Sequence, residues 1–523
     1  MFRRTACPPF LAPEKASALA QRHIADAALA VLLICVAGLR VLFLLTNQLQ
    51  LSPDEMHYWD WSRRLDIAYY SKGALVAWLI AASTSLFGHG QLGVRLPAVV
   101  QGSLFVFLIY RYARARIDPW SALAVAVVVQ LVPLVAGLGL AMTTDASVLV
   151  CWALALTALA PAVRRGKTSA WLLYGLAAAI GMGAKYTTLL LPLGLLLVTP
   201  LMACSRPMLR QRGFWLGQLV AFAGLLPLLL WNSRHGWVNL AHNVGHLGHG
   251  SPFEAAQLLL GPLMLTVTQL LLLGPLTALL LLIAAWRSVS NSWRRQDPYP
   301  LLLAALGVLL MLVCLLVSMR RPVYANWPLP LVVIAILLLV EAWPQFQPTV
   351  GMRRCLLLGS AINGLMLTLA VLPFYGFRFG IPVDVLPTRR LLGWRELTET
   401  LTLRETDRLA TVDLLISDRY TTASALAHGL QRPAGQVITV AFGTRRMNQY
   451  DIWARQDMPR LKGSDALAVL DMHTDERLLL ELFSRIESLP PLEVAAVGME
   501  ARRYRILMAY GYNGSSLPQP SRR

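Results

Sequence analysis

The sequence is poor in charge and poorer still in acid. Of its 523 residues only 14% are Asp, Glu, Lys or Arg, against the ~25% usual for soluble proteins, while 56% are hydrophobic. That excludes an ordinary soluble enzyme. Residues 1–375 hold 11 acids against 27 Lys and Arg, whereas residues 376–523 hold 17 against 20, so most of the net charge of +19 sits in the hydrophobic part. None of the six cysteines lies beyond Cys355, and those present fall in apolar runs or beside basic connectors. No disulfide framework is implied. There is no P-loop, no internal repeat and no serine or cysteine hydrolase motif. The basic excess does not point to nucleic acid, because no basic run or basic-aromatic stripe occurs.

What is present is a series of long apolar runs. They fall at about 27–45, 91–110, 119–140, 146–163, 170–184, 186–203, 214–231, 256–285, 299–318, 328–343 and 355–375, many of them near the ~20 residues that a helix needs to cross a bilayer. These read as eleven spans. The first is too long for a signal-peptide core and lacks an A-x-A site at its end, so it is expected to remain as an uncleaved anchor. With a cytoplasmic N-terminus, every inward connector is basic: Arg111/Arg114/Arg116, Arg164/Arg165/Lys167, Arg206/Arg210/Arg212, Arg287/Arg294/Arg295 and Arg353/Arg354. The positive-inside rule is thereby met. An odd number of crossings puts the C-terminal part on the outer side. Residues 170–203, with Lys185 in the middle, fit either two short spans or one long tilted one.

Two segments differ from the rest. Residues 47–90 are long, mixed in charge and aromatic, and read as one or two helices on the outer membrane surface. From 376 onward short β-rich runs (Val412–Ser417, Gln436–Phe442, Leu467–Leu470, Tyr504–Met508) alternate with helical ones (Thr421–Leu430, Asp475–Leu489). The expected fold class is therefore an α-helical polytopic membrane protein with a C-terminal extracytoplasmic α/β domain. Residues 1–375 would form the membrane domain, 376–512 the soluble domain and 513–523, rich in Ser and Pro, a disordered tail.

Candidate chemistry clusters at the outer ends of spans. Four of the 11 acids of the membrane part are Asp54, Glu55, Asp60 and Asp66. Ser52-Pro53-Asp54-Glu55 fits a capping box, with Glu55 reaching back to Ser52, and that needs no function. It also leaves Asp54 projecting from a rigid helix start, where a carboxylate can act as general base. Asp145, after Thr143 and Thr144, suits a helix cap, yet a carboxylate at a membrane edge is costly unless paired. Lys72 and Lys185 are, with Lys167, the only lysines between residues 16 and 461. Snorkelling explains either one alone. Arg320 and Arg321, before Tyr324 and Asn326, place cations outside, against the trend, where an anionic lipid headgroup would give them a reason. His235, His242, His246 and His249 share one connector, but glycines at 236, 245, 248 and 250 argue against a regular helix, and no metal is expected.

Pro53-Asp54-Glu55-x-x-Tyr58-Trp59, then Tyr69-Tyr70-Ser71-Lys72-Gly73-Ala74 through Leu79, then Gly93-Val94-Arg95-Leu96-Pro97, resembles the start of the bacterial GT-C membrane glycosyltransferases. These are the superfamily of protein O-mannosyltransferases and the lipid A aminoarabinose transferase (glycosyltransferase families 39 and 83). Thr144-Asp145, Gly183-Ala184-Lys185-Tyr186, Trp231-Asn232-x-x-His235-Gly236-Trp237 and Ala325-Asn326-Trp327-Pro328 are similar to motifs in the same order. Asp418-Arg419-Tyr420-x-Thr422-Ala423-Ser424 and Arg445 to Asp451 look like those of a bacterial subgroup. The likeness implies inverting transfer of a sugar from a polyprenyl-phosphate donor to an envelope acceptor, whether lipid A, another glycolipid, a polysaccharide or a protein, on the outer face of the bacterial inner membrane. Asp54, Asp145 and Glu55 would be the catalytic carboxylates. Lys72, Tyr70, Lys185, Arg320, Arg321, Tyr324, Asn326, Asn232 and His235 would meet donor or substrate. Many relatives have His-Pro-Pro where this chain has Lys72-Gly73-Ala74, so donor contacts there differ.

The residues fit that chemistry on their own terms. A departing polyprenyl phosphate needs a cation rather than an acid, the acceptor needs a base, and neither a metal nor another cofactor is required. The rival classes are a polytopic transporter or lipid flippase, and a non-catalytic scaffold whose outer domain binds envelope glycans. Transporters usually carry pseudo-repeats and charges near the bilayer midplane, whereas these acids sit at span ends. Nothing in the spans demands a partner subunit.

Overall fold

The computed structural model describes residues 13–245, 255–346, 350–372, 391–442, 445–495 and 502–518. Among them, six helices are long and apolar enough to cross a membrane: Ala20–Leu45, Gln91–Arg114, Thr144–Arg165, Arg212–Arg234, Pro298–Ser318 and Arg354–Val371. Shorter apolar helices, Leu75–Phe87, Pro119–Gln130, Thr168–Ala184, Tyr186–Val198 and Pro330–Gln345, fill the spaces between them. The chain is a multi-pass membrane protein. Its helices bury alanine and valine on the inside and leave leucines such as Leu39, Leu219, Leu259 and Leu282 exposed, as expected where the outer solvent is lipid.

Several sequence expectations change in detail. The run at 256–285 is two helices, Gln257–Leu273 and Pro275–Arg295, that meet at 100°. Gly274 makes the corner: its φ of 81° is left-handed, open to glycine at little cost, and Pro275 then starts the next helix. The run at 119–140 breaks before Pro133 into Pro119–Gln130 and Pro133–Leu138, because proline supplies no amide to the preceding turn. At Lys185 the chain leaves one helix and enters a 3-10 turn, Tyr186–Leu189, so 170–203 is two short helical stretches.

The C-terminal part holds a sheet of order β2-β1-β3-β5-β4, with β1 Leu414–Ser417, β2 Val437–Thr439, β3 Ala466–Asp471, β4 Phe483–Val494 and β5 Arg502–Tyr512. The first three strands pair in parallel and the last two antiparallel. All four expected strands are present. The helix expected at Asp475–Leu489 is only half there: Arg477–Leu482 is helical and Phe483 begins β4. Pro490 and Pro491 sit at a register shift between Leu489 and Leu492, tolerated because β4 is an edge strand. The boundary expected near residue 376 lies outside the described residues. Of the expected tail, Asn513 is tied to the Glu481 and Leu482 carbonyls, and residues 519–523 lie outside the described part.

The segment 47–90 forms two helices, Pro53–Ser62 and Leu75–Phe87. Its side chains share one core with the sheet: Met56, Trp59, Trp61 and Tyr69 pack in a cluster with Leu397, Leu415, Leu426, Tyr450 and Ile506. The α/β part is therefore seated on the segment 47–90 by buried apolar surface, not tethered beside it.

Candidate active site at the junction of helices and sheet

Helix Pro53–Ser62 starts where the sequence says it does. Ser52 is extended, its side chain accepts from the Glu55 amide, and Glu55 returns a bond to the Ser52 amide, completing the capping box. The expected catalytic share of Glu55 is not supported by its surroundings. It is fully buried, and both its oxygens are taken: Arg95 donates Nε to Oε1 and Nη2 to Oε2, each at 2.7 Å. Oε1 also accepts from the Met142 amide at 2.9 Å, and Oε2 from the Ser52 amide at 2.9 Å. Burial raises its pKa, but Arg95 and these amides more than reverse that and hold it below the usual carboxylate value. A carboxylate so occupied has no lone pair for a substrate proton.

Asp54 is the opposite case. It is exposed at the helix start, and its Oδ1 accepts a hydrogen bond of 3.0 Å from the Tyr420 hydroxyl, a residue of the α/β part. Lys72 lies within electrostatic reach. It is half-buried and carried on a tight loop in which the Tyr69 amide donates to the Lys72 carbonyl at 3.0 Å. Burial pulls its pKa down to about 8, the neighbouring Lys185 adds to that, and Asp145 and Asp54 oppose it. Gly73 permits this placement: a Cβ there would lie 2.1 Å from the Gly183 carbonyl oxygen. No other residue brings the lysine loop so close to the end of helix Thr168–Ala184.

Asp145 does not cap its helix; Thr143 does. Asp145 instead pairs with Lys185 Nζ at 2.8 Å and accepts from Asn326 Nδ2 at 2.6 Å. Three separated segments, at 145, 185 and 326, are thus pinned together next to Lys72. Lys185 is a neutralised member of that buried pair rather than a loose cation for phosphate.

Of the other expected substrate contacts, Arg321 donates to the Gly245 carbonyl at 2.9 Å, while Arg320 and Tyr324 are exposed. Tyr70, Asn232 and His235 do structural work in this state. The Tyr70 amide donates to Gln449 Oε1 at 2.8 Å and its ring meets His242 at 4.7 Å. Asn232 accepts from the Leu240 amide, and His235 stacks on Trp231 at 4.0 Å. Gly236 and Trp237 both have positive φ, so His235 and His242, which lies in helix Val238–Gly245, belong to different elements. Among the described residues no group of three His, Cys, Asp or Glu is placed to hold a metal; His246 and His249 lie outside them. Sequence reasoning missed Arg95 as the partner of Glu55. It also missed Asn239, which bridges the Tyr69 carbonyl at 2.6 Å and the Tyr186 hydroxyl at 3.0 Å. Tyr420 was visible only as part of a motif.

A helical membrane domain whose first long loop carries an exposed aspartate and a half-buried lysine under a small α/β domain is the architecture of the GT-C fold. Residues 71–231 match the family model of dolichyl-phosphate-mannose-protein mannosyltransferases. The lipid A galacturonosyltransferase RgtD of Rhizobium johnstonii is 27% identical over 413 residues, covering 75% of this chain and 80% of that protein. The undecaprenyl phosphate-alpha-4-amino-4-deoxy-L-arabinose arabinosyl transferase of Pseudomonas aeruginosa is 32% identical over 218 residues, 38% of this chain and 39% of its own length. In fold, the chain is similar to ArnT from Cupriavidus metallidurans in its crystal structure bound to undecaprenyl phosphate. The TM-score is 0.64 at 15% identity, over 91% of this chain and 97% of that one. By family model, by relatives and by fold, the chain is similar to the membrane glycosyltransferases that include the protein O-mannosyltransferases and ArnT.

Proposed function

We propose that the protein is an inverting glycosyltransferase that moves a sugar from a polyprenyl-phosphate donor to a lipid A-type acceptor at the outer face of the bacterial inner membrane. The named activities of its relatives support the donor and acceptor classes. The observation that carries the reading is the placement of an exposed Asp54 in the electrostatic field of Lys72, base and cation at one junction. The basic inward connectors support a cytoplasmic N-terminus and a periplasmic α/β domain.

In this scheme Asp54 takes the proton of the acceptor hydroxyl or amine as the acceptor atom forms its bond to the anomeric carbon. The bond from that carbon to the phosphate oxygen breaks, and its electron pair leaves with the polyprenyl phosphate. Lys72, with Arg321 as a second cation, stabilises the released charge. Asp145, Lys185 and Asn326 keep the surrounding segments in register. One displacement at one carbon inverts its configuration.

The test is transfer by purified, detergent-solubilised protein, read by mass spectrometry of the acceptor. Product forms with no sealed membrane present and persists in chelator. Movement of lipid across sealed vesicles without any product supports the transporter reading instead.

Lys72 gives a pH signature. A lysine is cationic below its pKa, so with a value near 8 the cation is mostly present at pH 7 and mostly lost at pH 9. The dissociation constant of a phosphodiester donor analogue, whose own charge is fixed over this range, should rise by about tenfold between those two values. In Lys72→Arg the guanidinium stays charged and the profile is flat. Calorimetric titration in detergent measures both; parallel profiles remove Lys72 from the donor site.

A further inference from the structure

The transferase reading explains Asp54 and Lys72 but assigns no chemical part to the α/β domain, which supplies the hydrogen bond that the base accepts. Helix Tyr420–Gly429 lies along helix Pro53–Ser62. Ser424 donates Oγ to the Pro53 carbonyl at 3.1 Å, His428 meets the Trp59 ring at 4.8 Å, and Ala423, Leu426 and Ala427 enter the shared core. Tyr420 is the first residue of its helix, preceded by Arg419 in extended conformation. Asp418 is in turn held by the Thr474 hydroxyl at 2.9 Å. The Tyr420 ring rests against His57, with centroids 5.2 Å apart, and burial holds that histidine neutral by lowering its pKa to about 3. The tyrosine is thus fixed from the sheet, from the partner helix and from below.

We infer that Tyr420 is a positioning residue for the acceptor base. Its hydroxyl sets the rotation of the Asp54 carboxylate, so that the α/β domain completes the catalytic site instead of only covering it. The inference rests on the transferase reading above. An exposed aspartate without such a contact samples several rotamers, and a general base must stand within hydrogen-bond reach of the proton it removes. Orientation is a large part of such catalysis. The hydroxyl also tunes basicity, because donation to a carboxylate stabilises its charged form. The other ionisable groups that act here are Lys72 on the neighbouring loop, Tyr58 one turn along the same helix, and Asp145 and Lys185 behind them. Glu55 is turned away onto Arg95, and His57 is neutral.

The test compares full-length wild type, Tyr420→Phe and Ser424→Ala in one detergent, with donor and lipid A acceptor. Phenylalanine keeps the ring contact and removes only the hydroxyl. It should lower kcat by about 10- to 100-fold, the usual effect of losing one hydrogen bond to a charged group, while leaving KM for the donor unchanged. The acid limb of the pH profile should move to higher pH, because Asp54 loses a donor. Ser424→Ala removes a docking bond of the same helix without touching Asp54, and its acid limb should stay in place. A Tyr420→Phe enzyme with wild-type kcat and acid limb overturns the inference. So does a Ser424→Ala profile that matches Tyr420→Phe, since Tyr420 would then act through docking alone. Wild type that transfers nothing overturns the transferase reading itself and is distinguishable from both.

Discussion

Asp54→Asn should transfer sugar about 10²- to 10⁴-fold more slowly than wild type, the range typical of removing a general base, with the protein still folded. The substitution is close to isosteric, and an asparagine oxygen can still accept from Tyr420. The helix start does not depend on Asp54, because Ser52 and Glu55 make the cap. What is lost on the folding side is one acidic group in the first helical turn, worth about 0.3–1 kcal/mol at an exposed site. Activity and stability therefore separate: the melting midpoint in detergent stays within a few degrees while turnover collapses. Donor affinity should change little or tighten slightly, since a negative charge near the phosphate site has been removed. Turnover at the wild-type rate would remove Asp54 from the chemistry and leave Asp145, already paired with Lys185 and Asn326, as a poor substitute.

The parts legible in the sequence were those whose physics is local. The capping box at Ser52 is a four-residue pattern. A charge at the edge of an apolar span is conspicuous because burial of a lone charge is costly, and that marked Asp145 and Lys185, while Lys72 stood out as one of three lysines between residues 16 and 461. The strands β1 and β3 announce themselves as short, continuous apolar runs, buried on both faces. The parts that stayed hidden depend on partners far along the chain. Glu55 and Arg95 are 40 residues apart, and nothing near either says that they meet. Tyr420 and Asp54 are 366 apart. The end of helix Arg477–Leu482 was overrun because Leu478, Leu479, Leu480 and Leu482 continue into Phe483 and Ile486 without a breaker, and only pairing with β5 decides that strand begins there. The corner at Gly274-Pro275 was readable in principle, since glycine then proline is a turn signal, but leucines on both sides gave it the look of one span.

The shared core also changes what a deletion can reveal. Removing residues 377–523 is the direct way to ask what the α/β part contributes. Yet Met56, Trp59, Trp61, Tyr69, Val76 and Ile80 pack in the same cluster as Leu397, Leu426, Trp453 and Met508. Cutting between them exposes large aromatic surface around the very helix that carries Asp54. Point substitutions at the contact, such as Tyr420→Phe, probe the same question without that cost.

The largest effect on stability should come from Arg95→Met. Arg95 and Glu55 are both fully buried, and Arg95 also donates to the Leu49 and Gln50 carbonyls at 2.6 and 2.8 Å. It therefore ties the end of the first span to the start of helix Pro53–Ser62. Methionine fills similar volume but leaves Glu55 as a buried charge with no counter-ion, a change that typically costs about 3–5 kcal/mol. The thermal midpoint in detergent should fall sharply, and activity with it, because Asp54 is the neighbour of Glu55 on the same first turn. Glu55→Gln in the Arg95→Met background separates cause from consequence. Glutamine's single oxygen can keep one of the two amides, that of Ser52 or that of Met142, while its NH2 group faces the other, and the pair of substitutions leaves no buried charge. The double variant should therefore recover part of the lost stability, short of that amide and the two carbonyls that Arg95 no longer serves, and should recover turnover in parallel. Were Glu55 a proton acceptor in the reaction, the double variant would be stable and inactive, so the joint return of stability and turnover is the result that confines Glu55 to the scaffold and leaves proton removal to Asp54.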